Sequence, residues 1–303
     1  MIGFDIGGTK CAVSVGEITE EGIKITNKTV TPTDFSVSPE SMIDKMCTLA
    51  EEMTDDFSKI GISCGGPLDS KSGVILSPPN LRGWDNVEIV RMLTDRYNGS
   101  VKLCNDADAC ALAEWRYGAG RGCENMIFLT FGTGLGAGLI INGRLYSGSH
   151  GMAGEAGHIR LAGYGPVGYG KAGSFEGFAS GGGIAGLGRI RAEEAKQRGK
   201  TVSWESDCTA KGIAERATSG YSDAIELYRE SGRKLGEGLS VLMDILDPDK
   251  IVIGGIFPKA ESLLRDTMDE VIKREALLPC PVVPAELGEN IGDIAALCVA
   301  MEA

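Results

Sequence analysis

No stretch of the sequence approaches the roughly 20 consecutive apolar residues that a membrane helix requires. The start, MIGFDIGG, lacks a basic segment followed by a hydrophobic signal core, so a cytoplasmic chain is expected. C-x-x-C spacing is absent. The nine cysteines (Cys11, Cys47, Cys64, Cys104, Cys110, Cys123, Cys208, Cys280 and Cys298) are odd in number and scattered. That argues for reduced core thiols and against a disulfide framework or a thiolate metal site. Positive charge is in deficit, with 30 Lys and Arg against 42 Asp and Glu and a formal net charge of -12. Such a chain repels nucleic acid and anionic lipid in general. A phosphate ligand must therefore be held locally, by backbone N–H groups and a metal ion.

With 303 residues, 43% of them hydrophobic, the chain is long enough for two adjoining cores, and two domains are expected. Near the start, Ile2, Phe4 and Ile6 alternate with smaller or polar residues, Gly7-Gly8 interrupts, and an extended pattern resumes at Cys11. This reads as strand, glycine turn, strand. The plan recurs where residues 127–131 run into Gly132-Thr133-Gly134-Leu135-Gly136 and then Leu139-Ile140-Ile141. Strands are also predicted over 60–64, 101–104 and 251–253. Helices are predicted over 106–117, opened by Asn105 as N-cap, and over 184–198, 222–246 and 293–301. Glycine is so frequent from Gly163 to Gly188 that site-lining loops are expected there. We place the domain boundary at the glycine-rich 117–122, giving domains 1–117, completed by the C-terminal helix at about 290–303, and 118–289.

Asp5-Ile6-Gly7-Gly8-Thr9-Lys10 sets a carboxylate at a strand end, then two residues without side chains, then a hydroxyl and a cation. Backbone N–H groups in such a turn approach phosphate oxygens closely, and the carboxylate can hold hydrated Mg²⁺. An ordinary glycine hairpin is the plain alternative. Gly132-Thr133-Gly134 lacks the helix that a dinucleotide fingerprint requires immediately after its turn, so that fold is rejected. Gly199-Lys200-Thr201 has Glu194 where a Walker motif needs glycine, and no strand before it. Asp106, where a strand hands over to a helix, can project from the helix N-terminus, whose dipole favours the ionised form. It is a candidate general base for a hydroxyl of very high pKa, or else an ordinary first-turn acid. Only two histidines occur, His150 and His158. Glu155 and His158, three apart in glycine-rich sequence, can both face a polyol, though a lone histidine is more commonly structural.

Taken together these residues resemble the ROK family of sugar kinases, repressors and related reading frames, within the actin/hexokinase/Hsp70 superfamily. The matching series is Asp5-Ile6-Gly7-Gly8-Thr9-Lys10, Gly65-Gly66-Pro67, Asn80-Leu81, Asn105-Asp106-Ala107, Gly132-Thr133-Gly134, Glu155-x-Gly157-His158, Glu176 and Gly254-Gly255. The resemblance implies an α/β chain of two actin-like (ribonuclease H-like) domains with a sugar and ATP cleft between them. It implies a glucokinase-like hexose kinase acting at O6, with N-acetylmannosamine, allose or fructose as alternative acceptors, and a homodimer. Asp106 would be the catalytic base. Gly65, Gly66, Asn80, Asn105, Asp106, Glu155, His158 and Glu176 would meet the sugar. ATP would be met by Asp5, Gly7, Gly8, Thr9, Lys10, Gly132, Thr133, Gly134, Gly254 and Gly255, with Asp5 holding Mg²⁺ through water.

One departure stands out. ROK kinases commonly follow the histidine with C-x-C-G-x-x-G-C-L-E, whose cysteines bind a structural zinc together with the histidine. Here Val167, Tyr169 and Ser174 stand at the cysteine positions, none able to supply a thiolate, so no zinc is expected. Hydrogen bonding from Tyr169 or Ser174 is expected to orient His158 instead. Asp108 stands where asparagine is commoner, and Ile256 replaces a glycine. Two rivals of other classes are a repressor, disfavoured because the first glycine turn leaves no room for a preceding DNA-binding domain, and a non-catalytic sugar-binding regulator.

Overall fold

The computed structural model describes residues 1–19 and 22–303. In chain order its elements begin with β1 (Ile2–Ile6), β2 (Lys10–Thr19), β3 (Gly22–Pro32), α1 (Pro39–Glu51), β4 (Lys59–Cys64), β5 (Leu68–Asp69) and β6 (Val74–Ile75). There follow α2 (Ile89–Tyr97), β7 (Ser100–Asn105), α3 (Asp106–Tyr117), β8 (Met126–Phe131), β9 (Leu135–Ile141), β10 (Arg144–Leu145) and a 3-10 turn, Ala156–His158. Next come β11 (Val167–Gly168), β12 (Lys171–Ala172), α4 (Phe175–Phe178), α5 (Gly181–Gln197), α6 (Ala210–Thr218) and α7 (Ser222–Leu246). The last are β13 (Lys250–Ile253), α8 (Phe257–Glu275), β14 (Val282–Pro284) and α9 (Ile291–Met301). No described helix is long and apolar enough to cross a membrane.

The chain divides into two compact units, the first made of Met1–Gly122, Gly138–Ala153 and Glu286–Ala303, the second of Cys123–Ala137 and Gly154–Ala285. In the first unit the five-stranded sheet has the order β3-β2-β1-β4-β7. β1 is antiparallel to β2 but parallel to β4, and β4 is parallel to β7. Alternation along β1 decides what covers each face. Ile2, Phe4 and Ile6 join a core with Met42, Ile43 and Met46 of α1 and Ile89 and Leu93 of α2. Gly3 and Asp5 face the other way, toward α9, where a Cβ at Gly3 would lie 2.9 Å from that of Ala296. Gly61 of β4 packs flatter still, its missing Cβ falling 2.1 Å from the Ala296 carbonyl oxygen.

Glu114 of α3 is completely buried and accepts backbone N–H bonds from Ala119 (2.8 Å), Glu286 (3.2 Å) and Leu287 (2.9 Å). A buried carboxylate is tolerated when several donors replace its water. This one ties α3 to the segment leaving the unit at Gly122 and to the one returning at Glu286.

The other five-stranded sheet has the order β10-β9-β8-β13-β14, with β13 parallel to both β8 and β14; β8, β13, β14 and the start of β9 belong to the second unit. Both units thus carry a hairpin followed by two parallel strands, the repetition predicted from the glycine turns. The dinucleotide reading stays excluded, because a strand, β9, follows Gly132-Thr133-Gly134. The expectation of irregular loops over 163–188 is corrected: β11 and β12 form a hairpin, and α4 and α5 begin inside that stretch. Three consecutive glycines open α5. The Ser180 hydroxyl caps it by accepting from Gly183 N–H at 2.8 Å. Cβ atoms at Gly181, Gly182 and Gly183 would each fall within 2.9 Å of a backbone oxygen, so close packing overrides weak helix propensity. All nine cysteines are free thiols, six of them buried.

Candidate active site

The register of the parallel strands aligns their carboxyl ends in each unit. In the first, Ile6 stands opposite Cys64 and Cys64 opposite Asn105. The residues that leave these ends are Gly7-Gly8, Gly65-Gly66 and Asp106. In the second unit Leu129 stands opposite Ile253, and the exits are Gly132-Thr133-Gly134 and Gly254-Gly255. Ligands of open α/β sheets bind at such carboxyl ends.

Asn105 and Asp106 begin α3 as predicted. Asn105 Oδ1 caps the helix by accepting from Ala107 N–H (2.9 Å) and Asp108 N–H (3.4 Å). Its Nδ2 sits 3.2 Å from where a Gly66 Cβ would be, and Asp106 Oδ2 lies 3.8 Å from the corresponding point at Gly65. Gly65 thus lies directly beside the carboxylate, and Gly66 against the Asn105 amide. Asp106 is exposed to solvent, but the protein packed around it desolvates the carboxylate enough to raise its pKa above the usual value, and the opposing N–H bond from Ala107 (2.8 Å) is the smaller effect. Desolvation therefore outweighs the helix N-terminus expected to favour ionisation.

Asp5 projects toward α9, its Oδ2 lying 2.6 Å from the point a Gly292 Cβ would occupy. Its pKa is pushed up to about 6, first by burial and then by Asp293 and Asp106, with Lys10 and Lys28 opposing. Asp293 was read from sequence only as part of a helix start. It is buried, accepts from Ser14 Oγ at 2.7 Å and pairs with Lys28. Partners 279 and 265 residues apart leave no local pattern. The Gly7-Gly8 turn closes through Gly7 N–H to Lys10 oxygen (3.1 Å) and receives Thr33 Oγ1 on the Gly7 carbonyl (2.5 Å). Gly8 has no room for a side chain, since its Cβ would lie 2.3 Å from the Asn80 carbonyl. That contact brings Asn80 to the turn; Thr9 and Lys10 are exposed. Thr33 was not singled out beforehand, as a threonine after a strand carries no distinctive signal.

Among the described residues no three His, Cys, Asp or Glu side chains form a metal-holding cluster. Mg²⁺ does not need one, because it keeps several waters and takes one or two carboxylates plus substrate phosphates. A part-buried Asp5, with its proton affinity raised by desolvation and then by neighbouring acids, fits that demand. Asp108 turns away from the chemistry, accepting from Ser147 Oγ at 2.7 Å.

In the second unit Gly132 and Thr133 are gripped through their carbonyls by the N–H groups of Gly181 (2.7 Å) and Gly182 (3.0 Å). Gly255 (φ 69°) would put a Cβ 2.2 Å from the Phe131 oxygen, while Ile256 N–H donates to that oxygen at 2.7 Å. The Gly254-Gly255 exit thus lies directly against the glycine turn. Glu176 Oε2 accepts from Leu135 N–H at 3.0 Å, and a Cβ at Gly134 would lie 2.7 Å from the same oxygen. Gly157 packs on Glu176 as well, its missing Cβ 3.2 Å from the Glu176 Cβ, which joins the Glu155–His158 segment to the turn. Glu155 is exposed and His158 part-buried, with its Nε2 fully buried and without a hydrogen-bond partner among the described residues.

The zinc positions do not fit the metal. Val167 and Tyr169 belong to the β11–β12 hairpin, and Ser174 is the N-cap of α4, accepting from Gly177 N–H at 3.1 Å and donating to the Gly168 oxygen at 3.3 Å. Ser174 thus does not orient His158 as expected. Tyr169 meets His158 by an edge contact of the rings, centroids 5.1 Å apart at 61°, in place of the expected hydrogen bond.

A hairpin and parallel strands ending in glycine turns, present in each of two α/β units, define the actin-like two-domain fold, which the neighbouring solved structures share. The glucokinase of Streptomyces griseus, solved in complex with glucose and AMPPNP, superposes with TM-score 0.81 at 30% identity, covering 100% of this chain and 99% of that one. A family model described as ROK family matches residues 1–302, and the chain belongs to that family. The glucokinase of Streptomyces coelicolor is 32% identical over 99% of this chain and 97% of its own length. The N-acetylmannosamine kinase of Shigella flexneri is 31% identical over 87% and 85%.

Proposed function

We propose that this chain, as a sugar kinase, transfers the γ-phosphoryl group of Mg·ATP to O6 of a hexose, glucose by default, with Asp106 as general base. The observation that carries the reading is Asp106 at the start of α3, its side chain exposed to solvent beside Gly65 and next to Asn105, yet with its proton affinity raised by desolvation. A sugar hydroxyl gives up its proton only as the bond to phosphorus forms, and an oriented carboxylate accepts it then. Asn80, Asn105, Glu155, His158 and Glu176 are assigned to the hydroxyls. The buried Nε2 of His158 would gain a partner from one of them, and a buried polar atom without one costs about 1–3 kcal/mol. Backbone groups of Gly7–Lys10 and Gly132–Gly134 are assigned to the phosphates, with Gly254-Gly255 near the adenosine. Asp5 would hold Mg²⁺ through water, and that ion neutralises charge on the transferring group when bound. A homodimer in the cytoplasm belongs to the same reading.

Kinases named for glucose and for N-acetylmannosamine are similarly related to this chain, so N-acetylmannosamine is kept beside allose and fructose as an alternative acceptor. A coupled ADP-release assay over glucose, mannose, allose, fructose and N-acetylated hexosamines tests the proposal. Release should require both a hexose and Mg²⁺ and be fastest per unit KM with glucose. Sugar binding without sugar-dependent ADP release would instead support the non-catalytic regulator.

A further inference from the structure

We propose that Tyr169 is a positioning residue for His158, and that the β11–β12 hairpin does by side-chain packing what a bound metal would do at cysteine positions. The inference rests on the assignment of His158 to the sugar. Tyr169 and Gly170 form the two-residue turn of the hairpin, both with positive φ (46° and 75°). Turns of that kind favour Asn, Asp or Gly at the first position, because a bulky residue is strained there. A tyrosine at this point disfavours the turn locally, so its side chain must return something elsewhere. Its ring stands against the His158 imidazole at 5.1 Å and 61°, the edge-to-face arrangement in which aromatic rings attract.

The same hairpin grips His158 a second time. Lys171 Nζ donates to the His158 carbonyl oxygen at 2.5 Å. Arg160 Nη1 also bonds the Ala172 oxygen of the hairpin at 2.7 Å, and just beyond it Phe175 N–H, at the start of α4, donates to the Ile159 oxygen at 2.7 Å. Main chain and ring of His158 are therefore held by neighbouring residues of one two-stranded element. What the contact restrains is rotation of the imidazole, and with it the direction of Nε2, the buried nitrogen that has no hydrogen-bond partner among the described residues.

Tyr169→Gly separates positioning from stability, since it removes the ring and relieves the backbone strain together. The variant should melt at or above the wild-type temperature, while its KM for the sugar rises about threefold to tenfold, the scale of one aromatic contact. Its kcat should stay within a factor of about two and its KM for ATP unchanged, and Tyr169→Phe, which keeps the ring, should restore the wild-type sugar KM. A wild-type sugar KM in Tyr169→Gly, or an equal loss in Tyr169→Phe, would overturn the proposal. His158→Asn tells the two layers apart: unchanged sugar KM there means that the sugar assignment itself fails. A raised KM in His158→Asn with none in Tyr169→Gly means that only the positioning role fails. One zinc per chain by elemental analysis of the purified protein, or loss of activity on incubation with a zinc chelator before Mg²⁺ is added, would contradict the metal-free hairpin.

Discussion

Asp106→Ala should bind the sugar within an order of magnitude of wild type and lose about 10²–10⁴ in kcat, the usual value of general-base assistance. The separation follows from where Asp106 sits. Asn105 and the Asp106 carboxylate share the N–H groups of the first turn of α3, and Asn105 alone still caps the helix when the carboxylate is gone. Folding and hydroxyl recognition should thus survive the change, while proton transfer does not. Asp106→Asn, of the same shape, should be as slow as alanine, because shape without basicity is of no use to the step. The pH profile adds an independent reading. Desolvation raises the Asp106 pKa, so kcat/KM should fall on the acid side at a pH above the ordinary carboxylate range, as the base becomes protonated in the free enzyme. Substantial turnover by Asp106→Ala, measured as initial rate at saturating sugar and ATP, would refute the assigned role.

Asp5→Asn should lose activity and yet gain stability. Folding raises the Asp5 pKa from 3.8 to about 6, so the native state binds this proton more tightly than the unfolded chain does. The sign follows directly: the group's favourable contribution is complete below about pH 3.8 and is lost as pH rises through about 6. At pH 8 the ionised carboxylate, buried beside Asp293 and Asp106, opposes folding by up to about 3 kcal/mol. Asparagine removes that penalty with little change of shape. Denaturant unfolding without Mg²⁺ and nucleotide should show Asp5→Asn more stable than wild type at pH 8, with the difference shrinking toward pH 4. A variant equally or less stable at pH 8 would show that Asp5 is not destabilised by its surroundings. The combination of lost activity and gained stability is the mark of a charge kept for a ligand.

Much of this site could be read before the fold was known, because its parts are local. Asn105 followed by a run of small apolar residues specifies α3, and alternation either side of Gly7-Gly8 and of Gly132–Gly134 specifies the two hairpins. Other features depend on contacts between distant residues. Asp293, Lys28 and Ser14 meet across most of the chain, and the buried Glu114 finds its donors near residues 119 and 286. The excursion of Gly138–Ala153 into the first unit likewise has no signal of its own. Glycine content misled in one place. It suggested loops over 163–188, but the glycines at the start of α5 are there because carbonyls of Gly132, Thr133 and Glu176 approach too closely for any side chain. Residues at the zinc positions told what could not bind but not what replaced it. The positive φ of Tyr169 and its contact with His158 are visible only in three dimensions.

The central claim is phosphoryl transfer from ATP to a sugar hydroxyl with Asp106 taking the proton, and phosphorus NMR of the reaction mixture tests it most directly. With wild-type protein, glucose and Mg·ATP, a monoester resonance coupled to the two protons of carbon 6 should grow as the γ-phosphate signal disappears, and with Asp106→Ala it should stay at the background rate. Growth of inorganic phosphate alone, or of the same ester at an equal rate with Asp106→Ala, would contradict it.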